Sequence, residues 1–306
     1  MRTVLAVDVG GTKLAAGVVT VDGAVLARAE VATPATLDPE VLTKALMELA
    51  REVTSSGPAP TAVGIGSAGP LDPAAGTVSP VNIPAWRDYP IVETLSEIAP
   101  HTPTVLAGDG HCMALAEHWR THHHSRALLG MVVSTGVGGG LVLDGRLHLG
   151  PSGNAGHIGH IVVDLNGPPC ACGGRGCVEA FASGPAMVRW ADAHGWPTTD
   201  ARALARDAAN GHETATRAFR RAAGALAAAI VSTAALVDLD DVVIGGGVAD
   251  AGEVIFAPLR AAVGELAGLP FVRRVRIHAS QLGRDAGLLG AAALAFDALP
   301  GSRRQA

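Results

Sequence analysis

The feature that most constrains this chain is a group of three cysteines and one histidine in a single short stretch. Cys170, Cys172 and Cys177 follow the pattern C-x-C-x4-C, and His160 lies upstream of them. Three thiolates and one imidazole complete a tetrahedral zinc site that has no position open for water. The interleaved glycines let the backbone turn tightly enough to aim the sulfurs at one centre. The spacing predicts a structural zinc loop, and the alternative is ordinary buried cysteines or a disulfide.

The composition argues against several classes of partner. The chain has 306 residues, 48% hydrophobic content and a net charge of -5. This length suits one large or two medium domains. A surface that binds nucleic acid or anionic lipid needs clustered Lys and Arg, which the charge disfavours. No apolar run is long enough to span a bilayer, and the N-terminus does not resemble a signal peptide. Free thiols with metal-ligand spacing indicate a reducing cytoplasm.

The N-terminal motif predicts a phosphate-binding turn. Asp8 ends a short β-rich run and is followed by Gly10, Gly11, Thr12 and Lys13. The two glycines expose backbone N–H groups to a phosphate, and the hydroxyl of the threonine adds a further donor. Asp8 is placed at a strand end, where it can hold a Mg²⁺-bound water. The Walker sequence is absent, and the alternative is a plain hairpin turn.

The same pattern returns near residue 130. A β-rich run leads into Thr135, Gly136, Gly138 and Gly139, and a second β-rich run follows with an Asp-Gly turn. Two copies of one hairpin suggest two domains of like topology whose turns grip one polyphosphate from both sides.

Two other strand ends carry candidate functional residues. Asp109 follows a strand at 104–107 and precedes a helical pattern, where it is either a ligand-binding residue or a helix N-cap. Gly246 and Gly247 follow a strand at 242–244 and leave bare backbone on which adenine can lie; the alternative is a loose turn. Helical spacing predicts helices over these segments: 39–54, 91–98, 112–119, 185–193, 201–209, 213–237 and 285–298.

These motifs resemble the ROK family of sugar kinases and repressors over nearly the whole chain. The resemblance is carried by DVGGTK from Asp8, STGVGGG at 134–140, GHIGH at 156–160, CACGGRGCVE at 170–179 and GGG at 245–247. It implies an actin-like, ribonuclease H-like fold of two α/β domains. It also implies ATP and Mg²⁺, a hexose bound beside the zinc loop, and an aspartate as catalytic base.

The resemblance assigns roles to individual residues. Asp109 matches the catalytic aspartate, which also contacts the sugar. His160 matches the zinc-binding histidine near the sugar, and Glu179 and Asn82 match sugar contacts. The residues expected to bind ATP and Mg²⁺ are Asp8, Gly10, Gly11, Thr12, Lys13, Thr135, Gly136, Gly138, Gly139, Gly246 and Gly247.

Two positions depart from the pattern of most sugar-phosphorylating members. His157 stands where they have a glutamate, and Gly108 where they have an asparagine. Losing the carboxylate suits a sugar without a free 2-hydroxyl, so His157 is a candidate substrate contact. The missing asparagine leaves a sugar hydroxyl short of one partner.

The resemblance implies phosphorylation of the 6-hydroxyl of N-acetylmannosamine, because the GHIGH form is most similar to family members that use this sugar. Glucose or another hexose is the alternative. A sugar-responsive regulator is a remote one, because the first phosphate strand begins at about residue 3 and leaves no room for a DNA-binding domain. A small domain is expected over 1–117, with the helix at 285–306 packed back on it. A large domain is expected over 118–284, with the zinc loop at 153–183. The resemblance further implies a homodimer.

Overall fold

The computed structural model describes residues 2–55, 57–121 and 124–301 and divides the chain into two compact units. The first unit comprises Met1–His124, Leu147–Ala155 and Arg284–Ala306, and the second comprises Ser125–Arg146 and Gly156–Gly283. The division based on the sequence differs in three places, since it ended the first domain at 117, kept 147–155 in the second and extended the second through 284. The end of the segment expected over 285–306 lies outside the described residues.

Both units combine groups of strands with helices, so the architecture is α/β. The strands are β1 (Thr3–Val9), β2 (Lys13–Thr20), β3 (Val25–Ala32), β4 (Val63–Ser67), β5 (Leu71–Asp72), β6 (Thr77–Val78), β7 (Thr104–Gly108), β8 (Ala127–Val133), β9 (Val137–Leu143), β10 (Arg146–His148), β11 (Asp241–Gly245) and β12 (Arg276–Ala279). The helices are α1 (Pro39–Thr54), α2 (Ile91–Ser96), α3 (Asp109–Arg120), α4 (Glu179–Ala182), α5 (Gly184–Ala193), α6 (Ala201–Ala209), α7 (Glu213–Val237), α8 (Glu253–Leu266), α9 (Pro270–Arg273) and α10 (Ala286–Asp297).

The first unit is built on a mixed sheet with the strand order β3-β2-β1-β4-β7. Strand β1 is antiparallel to β2 and parallel to β4, and β4 is parallel to β7. Helix α1 packs against β2 and β3, whereas α10 packs against β1, β4 and α3. The contact with α10 is close because a Cβ on Gly64 of β4 would lie 1.8 Å from the carbonyl oxygen of Ala291. This sheet brings the ends of β1 and β7 to one edge.

The second unit repeats this topology. Its sheet has the order β10-β9-β8-β11-β12, with β8 antiparallel to β9 and parallel to β11. Strand β11 is in turn parallel to β12. The hairpins β1–β2 and β8–β9 are therefore the repeat that is visible in the sequence. Each hairpin is closed by its own glycine-containing turn.

Helix α7 is the one described helix that is long and apolar enough to cross a membrane by length and composition. This corrects the expectation that the chain holds no apolar run of that kind. Helix α7 packs against α4, α5, α6 and α8, and its alanine-rich buried face belongs to the core of the second unit. A long, alanine-rich helix in a protein core can meet the same criteria of length and composition. Its apolar face then packs against protein instead of lipid.

Candidate active site

The turn between β1 and β2 carries the first group of candidate residues. The backbone N–H of Gly10 donates to the carbonyl oxygen of Lys13 over 3.0 Å, which closes the turn. The hydroxyl of Thr33 donates to the carbonyl oxygen of Gly10 over 2.7 Å and fixes the turn to the chain that follows β3. Thr12 is exposed, and the ammonium of Lys13 lies 3.6 Å from the carboxylate of Glu30. These hydrogen bonds fix the conformation of the turn, while Thr12 stays accessible to a ligand.

Asp8 precedes this turn in a half-buried position with unusual electrostatics. Burial and the nearby negative charge of Asp109 raise the pKa of Asp8 to about 6, against the opposing effect of Lys13 and Arg28. Its carboxylate lies against the first turn of α10, because a Cβ on Gly287 would come within 2.6 Å of Oδ2. Two carboxylates at one sheet edge supply the oxygen donors that Mg²⁺ prefers, so the side chains fit such an ion.

Asn82 lies directly on the backbone of the same turn. A Cβ on Gly11 would be 2.2 Å from Nδ2 of Asn82, so only glycine allows this approach. The side chain of Asn82 is exposed. The structure therefore brings together, within the first unit, a predicted sugar contact and a predicted phosphate contact.

Asp109 is the first residue of α3, and Gly108 at the end of β7 is the N-cap. Oδ1 of Asp109 accepts a hydrogen bond from the backbone N–H of Gly110 over 2.7 Å. The N-cap of α3 is therefore Gly108, and the N-cap role that was one alternative for Asp109 is wrong. At the first position of the helix, a carboxylate is stabilised by the positive end of the helix dipole.

The corresponding turn in the second unit joins β8 to β9. The backbone N–H of Ser134 donates to the carbonyl oxygen of Gly136 over 2.8 Å, and that of Val137 donates to Oε2 of Glu179 over 2.9 Å. A Cβ on Gly136 would lie 2.7 Å from the same Oε2. Glu179, which was predicted as a sugar contact, thus also supports this turn.

The structure places Gly138 and Gly139 inside β9, beyond the turn. Gly139 pairs with Met131, and a Cβ on it would come within 2.8 Å of both the carbonyl oxygen of Gly130 and a methyl group of Ile158. Its absent side chain therefore lets the segment after residue 155 pack on the strand. Contact of these two glycines with ATP stays a prediction.

The loop after β11 packs next to the turn at 134–136. Gly246 has a φ of +90°, and a Cβ on it would lie 2.5 Å from the carbonyl oxygen of Val133. The backbone N–H of Val248 donates to that oxygen over 3.0 Å. A Cβ on Gly247 would lie 3.8 Å from the hydroxyl oxygen of Ser134. Both glycine-rich segments predicted to bind nucleotide are therefore neighbours within the second unit.

His160, Cys170, Cys172 and Cys177 converge on one point. One ligand atom from each residue lies within 4.8 Å of all the others. Nδ1 of His160 is 3.8 Å from Sγ of Cys170, and Sγ of Cys172 is 3.8 Å from Sγ of Cys177. Two sulfur ligands of a tetrahedral zinc, with bonds of about 2.3 Å, lie about 3.8 Å apart. The cluster therefore fits a zinc ion in both donor type and spacing.

Glycines make the fold of this loop feasible. The backbone N–H of Cys170 donates to the carbonyl oxygen of Gly174, and that of Gly176 donates to Pro168. Gly176 has a φ of +71°, and a Cβ there would lie 1.7 Å from the carbonyl oxygen of Asp164. A side chain at position 176 would therefore push the neighbouring Cys177 away from the cluster.

His157 and His160 lie on consecutive turns of the segment that leads into the loop. Their rings are stacked with centroids 5.6 Å apart and an interplanar angle of 16°. His157 is exposed, and His160 is half-buried beside the cysteines. The cluster therefore fixes the ring of His160, against which the candidate substrate contact His157 is stacked.

Sequence reasoning missed two residues near the candidate base. Gly287 admits the carboxylate of Asp8 to the start of α10, and His111 is buried beside Gly108. The run AGLLG in α10 is a weak signal for close packing, because small residues one turn apart let a helix approach its neighbours. No local pattern indicates that His111 has a specific contact.

Comparisons with known proteins place these features in a family. The model described as "ROK family" matches residues 4–298. The N-acetylmannosamine kinase of Citrobacter koseri is 40% identical over 292 residues, which cover 95% of this chain and 98% of that relative.

Solved structures give the same result. The ROK hexokinase from Thermus thermophilus is 36% identical with a TM-score of 0.85, and the match covers 96% of this chain and 98% of that one. A ROK family glucokinase from Streptomyces griseus, solved with glucose and AMPPNP, is 31% identical with a TM-score of 0.80 over 96% and 99% of the two chains. The predicted actin-like α/β fold is confirmed, and the chain belongs to the ROK family.

Proposed function

We propose that this protein transfers the γ-phosphoryl group of ATP to the 6-hydroxyl of N-acetylmannosamine. The observation that carries the proposal is the position of Asp109, which follows β7 and is close enough to Asp8 to raise its pKa. The sugar is suggested by the relative from Citrobacter koseri, which is 40% identical and carries this name.

Asp109 acts as the general base. It accepts the proton of the sugar hydroxyl and orients the oxygen toward the phosphorus, a role that requires the ionised carboxylate. Its place in the first turn of the twelve-residue helix α3 favours that ionised form.

The turn of the first unit binds the phosphates. The backbone N–H groups of Gly11 and Thr12 are donors for phosphate oxygens, whereas the N–H of Gly10 is used within the turn by the carbonyl oxygen of Lys13. Lys13 adds a positive charge at the start of β2. Asp8 would hold Mg²⁺, which neutralises charge on the phosphates when it is bound. Because phosphoryl transfer proceeds through a loose transition state, this positioning accounts for most of the catalysis.

The glycine segments of the second unit are candidate contacts of the nucleotide. Thr135 and Gly136 offer donors at the turn, while Gly246 and Gly247 give adenine a flat surface. The contact of Gly246 with Val133 holds both segments together, so they form one continuous backbone surface.

The zinc loop positions the sugar contacts. Zinc held by His160 and the three cysteines would be structural, because four protein ligands leave no open position. The loop then fixes His157, stacked on His160, and Glu179, which follows the last cysteine. Within the first unit, Asn82 is the candidate sugar contact.

Glucose or another hexose is the second candidate. The similarity to the hexokinase from Thermus thermophilus and to the glucokinase from Streptomyces griseus favours it. His157 distinguishes the two readings, because an imidazole has no anionic acceptor for a 2-hydroxyl.

A panel of hexoses assayed with ATP and Mg²⁺ tests the proposal. Wild type should prefer N-acetylmannosamine, and His157→Glu should lower kcat/KM for it relative to glucose by about 1–3 kcal/mol, the effect of one mispaired polar contact. A wild type that prefers glucose, with a variant that only raises activity on it, would establish the second candidate.

We further propose a cytoplasmic homodimer that has no nucleic-acid or membrane partner. The acidic net charge of -5 supports the absence of a nucleic-acid surface. Light scattering after size exclusion tests the dimer, since a monomer at assay concentration would contradict it.

A further inference from the structure

His111 is a buried histidine in the first turn of α3, two residues after Asp109, and its side chain is 3% exposed. The backbone N–H of Gly108 donates to Nδ1 of His111 over 3.3 Å. Nε2 lies 2.5 Å from the carbonyl oxygen of Ala155. Because Nδ1 accepts a hydrogen bond, the ring proton is on Nε2, which donates to Ala155. One neutral tautomer therefore joins two separate segments of backbone.

The first of these contacts explains the glycine at position 108. A Cβ on Gly108 would lie 3.1 Å from Nδ1 of His111 and 3.8 Å from Cε1. A side chain at this position, such as the asparagine of other family members, would therefore press on the imidazole. Gly108 and His111 flank Asp109 in the chain, so their contact sets the turn that carries the candidate base.

The second contact fixes the end of a loop of the first unit. Within this loop the backbone N–H of Ala155 donates to the carbonyl oxygen of Leu149 over 3.0 Å. Gly153 lies against Pro73, since a Cβ there would be 2.4 Å from the ring carbon Cγ. The loop is thus closed on itself, and His111 holds its last residue. The candidate sugar contact His157 follows two residues later.

We propose that His111 is a positioning residue both for the candidate base Asp109 and for the candidate sugar contact His157. Its Nδ1 sets the orientation of Asp109 through Gly108, and its Nε2–H sets the point from which the chain runs to His157. This inference rests on the proposed function, because it takes Asp109 as the base and His157 as a sugar contact.

Two substitutions separate the two contacts. Asn places a side-chain oxygen near the position of Nδ1, so His111→Asn keeps the acceptor for Gly108 and loses the bond to Ala155. Gln places its amide near the position of Nε2, so His111→Gln keeps the donor for Ala155 and loses the bond to Gly108. His118, which is buried on the same helix, supplies the control variant His118→Gln.

The two variants should affect different kinetic constants. His111→Asn should raise KM for the sugar about fivefold, the effect of one lost neutral hydrogen bond, with kcat and KM for ATP within about twofold of wild type. His111→Gln should lower kcat about fivefold and leave KM for the sugar within about twofold. His118→Gln should leave all three constants within about twofold.

A purely structural histidine would behave otherwise. If both variants lower Tm while all three constants of the folded protein stay within about twofold of wild type, the proposal is wrong. It is equally wrong if both variants change the same constant by the same factor, because the two contacts would then not act separately.

The wild type offers a measurement that does not depend on variants folding. NMR of protein labelled with ¹⁵N-histidine should show His111 protonated at Nε2 and unprotonated at Nδ1, with slow exchange of the ring proton. The opposite tautomer would overturn the proposal. If wild type phosphorylates another hexose and not N-acetylmannosamine, the proposed substrate fails, and the kinetic test of His111 is then made with that hexose.

Discussion

Replacing Asp8 with asparagine should stabilise the folded protein at neutral pH while it impairs catalysis. Asp8 is half-buried, and its desolvation together with the charge of Asp109 raises its pKa from 3.8 to about 6. An ionised carboxylate at this position therefore costs folding free energy. Asparagine keeps the size of the side chain and removes the charge.

The magnitude follows from the pKa difference. A shift from 3.8 to about 6 corresponds to about 3 kcal/mol at about 1.4 kcal/mol per unit. The folded state holds its proton more tightly than the unfolded state, so this stability is present below pH 3.8 and is lost as the pH rises through about 6. The advantage of Asp8→Asn over wild type should therefore be near zero at the acidic end and reach its full value above pH 7.

Urea denaturation of both proteins at several pH values between about 4 and 8 measures this difference as a change in free energy of unfolding. Asp22→Asn is the opposite control in the same unit, because a hydrogen bond from Thr20 lowers the pKa of Asp22. That variant should lose stability relative to wild type as the pH rises from acid to neutral. The reasoning is refuted if the advantage of Asp8→Asn does not grow with pH, or if this variant is less stable throughout.

Three further predictions concern catalysis, the metal and helix packing. Asp109→Asn should lower kcat by about 10²–10⁴-fold with little change in the KM values, since an amide cannot take the proton; steady-state kinetics within tenfold of wild type would contradict this. Elemental analysis should find about one zinc per chain in wild type and in Cys112→Ala, whose cysteine lies outside the cluster, but almost none in Cys172→Ala. In thermal unfolding, Gly224→Ala should gain about 0.5–1 kcal/mol because its Cβ meets open space inside a helix. Gly290→Ala should lose at least about 1–3 kcal/mol because its Cβ would lie 1.8 Å from the carbonyl oxygen of Cys112.

Local sequence patterns predicted the regular elements well where caps and periodicity agree. Helices α1, α6 and α7 begin and end where the spacing predicted, and Asp38 and Asp200 cap the first two. The bounds of helix α8 were not predicted, because Pro258 and Gly264 interrupt its pattern. The structure tolerates Pro258 because the apolar face of α8 packs against α7, and this tertiary contact outweighs local propensity.

In the candidate site, too, local features could be predicted from the sequence and long-range contacts could not. The cysteines of the metal cluster lie close together in the chain, so their spacing alone indicates a common ligand. The hydrogen bond that Val137 donates to Glu179 spans 42 residues, and the one between His111 and Ala155 spans 44. Contacts at such separations depend on how the units fold, and single-sequence patterns carry no information about them.

The packing of α10 has a consequence for how the protein is made. This helix covers β1 and β4, and Gly64 and Gly290 let it approach the backbone with almost no side chain between. The sheet of the first unit precedes the second unit in the chain, but the helix that buries this sheet follows every segment of the second unit. The strands of the first unit therefore stay partly uncovered while the second unit is translated. Exposed apolar strands of this kind are prone to aggregate, so the nascent first unit is where a chaperone would be needed most.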